Sequence, residues 1–85
     1  MAEIREALAL RFRDRDGRAY RMRVRGEQRA DGFWDAWLEF VPEDGSAVLR
    51  TEHDTLQRSR EDLAFWASGL EPTYLDGAFE RAQPA

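Results

Sequence analysis

Arginine alternates with apolar residues on both sides of a turn signature: Ala7-Leu8-Ala9-Leu10-Arg11-Phe12-Arg13, then Asp14-Arg15-Asp16-Gly17-Arg18, then Tyr20-Arg21-Met22-Arg23-Val24-Arg25. Strand side chains alternate faces with a period of two, so this pattern dictates a hairpin with one apolar face and one arginine face. Placing Tyr20, Met22 and Val24 on the same face as Leu8, Leu10 and Phe12 selects the register. A loop of Asp16-Gly17 alone would set Phe12 opposite Arg21 and mix the faces. The loop Arg15-Asp16-Gly17, a type I turn closed by Gly17 in the left-handed conformation, instead pairs Phe12 with Tyr20, Leu10 with Met22 and Leu8 with Val24. It also sets Arg11 against Arg21, a pair of like charges that calls for an anion nearby.

The remaining segments extend this hairpin. Gly26 to Gly32 reads as a polar connector. Phe33-Trp34-Asp35-Ala36-Trp37-Leu38-Glu39-Phe40-Val41 reads as a strand apolar on both sides and therefore central, with Trp34, Ala36, Leu38 and Phe40 on one face and Phe33, Trp37 and Val41 on the other. Pro42-Glu43-Asp44-Gly45 is a turn. A fourth strand, Ala47 to Glu52, is expected to set Leu38 opposite Leu49, Phe40 opposite Ala47, and Trp37 opposite Arg50 as a cation–π pair. Ser59 caps a helix whose first turn holds Glu61 and Asp62, with Leu63, Trp66, Ala67 and Leu70 at helical spacing, Phe65 off that stripe and Gly69 as the stop. Pro72 opens a second helix carrying Tyr74, Leu75, Ala78, Phe79 and Ala82 on one side, shortened by Gly77, and Gln83-Pro84-Ala85 is expected to fray. The order ββββαα predicts an α+β fold, a four-stranded antiparallel meander with both helices on one face. Residues 1–85 are one domain.

Composition narrows the functional classes. There is no cysteine, which removes disulfides, a thiol nucleophile and cysteine-type zinc sites, and fits a reducing, cytoplasmic setting. No apolar run is long enough for a membrane span. Every basic residue is arginine, as codon usage in a GC-rich bacterial genome would produce. Residues 1–32 carry nine arginines against six acids, and residues 33–85 carry four against eleven, giving the net charge of −4. The second half is expected to neutralise the first.

Nothing in the sequence points to catalysis, a cofactor or a metal. His53 is the only histidine. Its neighbours Glu52 and Asp54 could in principle orient it as a base, but a solvated strand-end histidine is the better account. Ser46 and Ser59 are placed by a turn and a cap, and the acid pairs Glu43-Asp44 and Glu61-Asp62 by a turn and a helix start. The reading is therefore a non-enzymatic protein-interaction module that binds a protein partner or a second copy of itself. Its surface is the arginine and aromatic face of Arg11, Arg13, Arg21, Arg23, Arg25, Phe33, Trp37 and Arg50. Phe33, Trp37 and Val41 would lie bare there unless a partner or the arginine stems cover them. The alternative is nucleic-acid or anion binding on the same face, weakened by the net acidic charge.

Overall fold

The computed structural model describes residues 3–85, with side chains from Arg11 onward. The elements are β1 (Glu3–Arg13), β2 (Ala19–Gln28), β3 (Trp34–Pro42), β4 (Leu49–Arg50), β5 (Thr55–Gln57), α1 (Arg60–Ser68), α2 (Pro72–Arg81) and β6 (Gln83–Pro84). The α+β expectation holds: the sheet is antiparallel, ordered β1-β2-β3-β4-β6, with β5 paired to the other end of β3. In place of four long strands there are three long ones and three short ones.

The first hairpin closes as its turn chemistry requires. Gly17 has φ +82°. The Asp14 carboxylate accepts from the backbone N–H of Asp16 and Arg18, at 2.9 and 2.8 Å. Phe12 pairs with Tyr20, Arg11 with Arg21 and Leu10 with Met22. Beyond Leu10 the register shifts, so Val24 pairs with Glu6 and not with Leu8. The extra residues of this β-bulge have no counterpart in the turn pattern that sets the register. The expected core-facing side chains of Leu8 and Leu10 lie outside the described residues.

The connector from Gly26 is shorter than its composition implied, because Gly26, Glu27 and Gln28 continue β2. A side chain at Gly26 would place its Cβ 2.7 Å from Leu63 Cδ2, so the bare backbone there is what lets α1 settle on the sheet.

The fourth strand departs most from expectation. Leu49 pairs with Phe40 and Arg50 with Glu39, two residues out of the anticipated register. The loop between β3 and β4 is longer than a tight turn because it is built on itself: Asp44 accepts from the Ser46 N–H and hydroxyl, and the Arg18 guanidinium donates to both Asp44 and Ser46. After Arg50 the strand breaks. Thr51 donates its N–H to the Leu38 carbonyl, while its hydroxyl accepts from the Leu38 N–H, each at 3.0 Å. A side-chain oxygen thus stands where a ladder carbonyl would, and the chain bulges out through Glu52 and His53 before β5 resumes.

Both helices start where the sequence places them, α1 by a side-chain cap and α2 by proline. Ser59 accepts from the Asp62 N–H at 3.1 Å, and Pro72 occupies the first turn of α2, which runs its full ten residues despite Gly77. The tail does not fray: Gln83 and Pro84 pair with β4, and the Ala85 N–H reaches the Val48 carbonyl at 2.9 Å. The core lies between the helices and one sheet face, where Tyr20, Met22, Val24, Trp34, Ala36, Leu38 and Phe40 meet Leu63, Ala67, Leu75 and Ala78. Phe79 of α2 closes an aromatic cluster, its ring 4.9 to 5.2 Å from those of Phe12, Tyr20 and Phe40. Such packing contributes roughly 0.5–1.5 kcal/mol per ring pair beyond area burial. Phe65, off the helical stripe, is 81% exposed.

Candidate functional site

The face opposite the helices carries the odd-numbered residues of β2 and β3, and cross-strand pairing arranges them in rows. Arg11 lies opposite Arg21, and Arg21 opposite Val41. The next rows are Arg23 with Glu39 and Arg50, Arg25 with Trp37, and Glu27 with Asp35 and Leu56. All eight residues singled out in the sequence lie on or beside this face, but they do not act as one group.

The centre is internally satisfied. Glu39 is only 8% exposed. Its carboxylate accepts from Arg23 Nε at 2.6 Å and lies 3.5 Å from Arg25 Nη1. Trp37 is 9% exposed, with the Arg50 guanidinium 4.4 Å above its ring. The cation–π pair therefore forms, but diagonally, because the shifted strand puts Arg50 opposite Glu39. Arg50 is held in place by donating to the carbonyls of Thr51 and Glu52, each at 3.0 Å. An arginine laid across an indole covers apolar surface while keeping its charged head wet. Trp37 is consequently not a bare aromatic patch.

The two ends differ in sign. At the turn end Arg11, Arg13 and Arg21 are exposed. Arg21 has one carboxylate in reach among the described residues, Glu43 at 4.0 Å, and Arg13 donates to the Gly17 carbonyl at 2.6 Å. At the other end Glu27 and Asp35 face each other, beside the exposed Phe33 and Leu56. Neither acid enters an ion pair among the described residues. Like charges directly across a ladder are unfavourable, so the two pairs are places where an outside group of opposite charge gains most.

The residues near His53 take another arrangement from a catalytic pair. His53 is exposed. The Asp54 carboxylate, fully buried, accepts from the Thr51 hydroxyl, from the Tyr74 hydroxyl at 2.7 Å and from Arg81 Nη2 at 2.7 Å. Burial alone would raise the Asp54 pKa, but these three donors outweigh it and hold it below the ordinary carboxylate value, while burial pushes the Tyr74 hydroxyl up. This cluster ties α2 to the break between β4 and β5. It was not visible in the sequence because two of its three donors, Tyr74 and Arg81, arrive from α2 and meet Thr51 and Asp54 only in the folded chain. A second charged cluster lies at the turn end, where hydrogen bonds from Ser46 and then Arg18 hold Asp44 at about 2.

Among the described residues no group of three or more histidine, cysteine, aspartate or glutamate side chains could hold a metal ion, and no helix is long and apolar enough to cross a membrane. No family model, no curated protein and no solved structure matches the chain.

Proposed function

We propose that this chain is a small non-enzymatic protein-interaction module, cytoplasmic and bacterial, that engages an acidic protein partner through the open face of its sheet. The observation that carries the reading is the Arg11–Arg21 cross-strand pair, exposed beside Arg13 and left with Glu43, 4.0 Å from Arg21, as its nearest compensation among the described residues. Arginine forks bind carboxylates through paired donors, and arginine is enriched where interfaces carry their energy. The covered state of Trp37 moves the expected contact chemistry from aromatic stacking toward guanidinium and carboxylate.

A protein partner fits better than nucleic acid. The chain carries a net charge of −4, whereas phosphate-backbone affinity comes from an excess of basic groups releasing counterions. A polynucleotide running along the strands would also pass from the arginine end over Glu27 and Asp35. A short acidic peptide need meet only the arginines.

The test is a titration of ¹⁵N-labelled protein with a glutamate-rich peptide and, separately, with oligouridine, at low and high salt. The peptide should shift the Arg11 and Arg21 amides in a salt-sensitive way while the oligonucleotide does not. Tight oligonucleotide binding with a silent peptide would overturn the reading.

A further inference from the structure

The two edges of the sheet are unlike. On one side the edge is pieced together from β5, β4 and β6, which are three, two and two residues long, and β6 includes Pro84. Short edge strands and proline are standard ways of closing an edge to further pairing. On the other side lies β1, eleven residues without proline or glycine, paired among the described residues only to β2. Its final stretch, Leu10 to Arg13, is past the register shift and regular against Ala19 to Met22. One row of backbone donors and acceptors along that stretch therefore faces away from the sheet.

Side chains at this edge differ on the two faces. Arg11 and Arg13, two residues apart, are exposed on the open face. On the opposite face a cleft of about 660 Å³ opens between the end of β1, the turn and α2. Phe12 and Phe79 line it, with the acids Asp14, Asp16, Asp76 and Glu80 and the arginines Arg13 and Arg15 around them. A strand added to the edge would send alternate side chains to these two places, since its own faces alternate.

We infer that the partner contributes an extended acidic segment that adds as a strand to the free edge of β1. Carboxylates two residues apart lie over Arg11 and Arg13, and the apolar side chain between them enters the Phe12–Phe79 cleft. This rests on the interaction-module reading and gives it a geometry: main-chain hydrogen bonds supply affinity, and the alternating pockets supply the sequence preference acid–apolar–acid. The added carboxylates also provide the counter-charge that the Arg11–Arg21 pair lacks.

The probe is an acetylated, amidated peptide of alternating glutamate and valine, compared with the same sequence N-methylated at alternate backbone nitrogens and with a lysine–valine analogue. The unmodified peptide should slow amide hydrogen exchange in Leu10 to Arg13. N-methylation should weaken it about tenfold, since it removes main-chain hydrogen bonds while keeping every charge. The paired Arg11→Glu and Arg13→Glu substitutions should weaken it by at least as much, and the lysine–valine peptide should not bind. Equal binding of the N-methylated peptide would overturn edge addition and leave binding to the open face standing. No perturbation of β1 or of the open face by the glutamate–valine peptide at low salt would overturn both.

Discussion

β3 buries aromatic side chains on both of its faces, by different means. On the helix side Phe40 is fully enclosed by Phe12, Phe79 and neighbouring aliphatic groups. On the open side Trp37 is almost as hidden, yet what covers it is the guanidinium of Arg50. One lid is a secondary-structure element fixed by its own core residues. The other is a flexible charged side chain anchored by two carbonyl contacts. Burial fraction alone does not distinguish a core residue from one under a removable cover, and the difference should appear in energetics.

The largest expected effect is therefore Phe40→Ala, which empties a close-packed site and should cost about 3–5 kcal/mol in denaturant unfolding. Trp37→Ala should cost less, about 1–3 kcal/mol, because the arginine can collapse onto the vacated surface and water can reach it. Equal costs would show that the open face is as rigidly packed as the core. Gly26→Ala probes the helix side from the backbone: its Cβ would meet Leu63 Cδ2 at 2.7 Å, so a loss of about 1–3 kcal/mol is expected. The lid itself is measured by a double-mutant cycle between Trp37→Ala and Arg50→Ala, with a coupling of about 0.5–2 kcal/mol.

The smallest effect is a pH dependence located on the helix side. Asp54 has a lowered folded-state pKa, so its contribution to stability is complete above the ordinary carboxylate range, about 3.9, and is lost as pH falls through the folded value. Asp54→Asn should flatten the acid limb of a stability–pH curve below about pH 5. An unchanged limb would mean that Thr51, Tyr74 and Arg81 do not stabilise the carboxylate form.

What could be read from the sequence follows the range of the forces involved. The turn end of the first hairpin, the central strand and both helix starts are set by period, turn residues and caps within a few positions of one another, and they were legible; the bulge that moves Val24 from Leu8 to Glu6 was not. The break in the fourth strand was not, because it depends on the Thr51 hydroxyl meeting the Leu38 N–H across the sheet. Nor was the extension of β2 through Gly26, where the missing side chain matters only once Leu63 has arrived from α1. The pairing of Gln83 and Pro84 with β4 is likewise a purely tertiary event. On the open face, alternation correctly placed Trp37 among arginines. It also named Arg50 as the cover; what it missed is that Arg50 reaches the ring diagonally, from opposite Glu39, in a register set by the Asp44–Ser46 loop.

The unequal edges have a further consequence for valency. Fibrillar growth requires each copy to offer two pairing edges, one to receive and one to be received. This sheet has one long edge and one assembled from fragments, so two copies pairing edge to edge along β1 would use the long edge of both and leave only the fragmented edges outside. Edge pairing between copies of such a chain would stop at two and would not grow into a fibril.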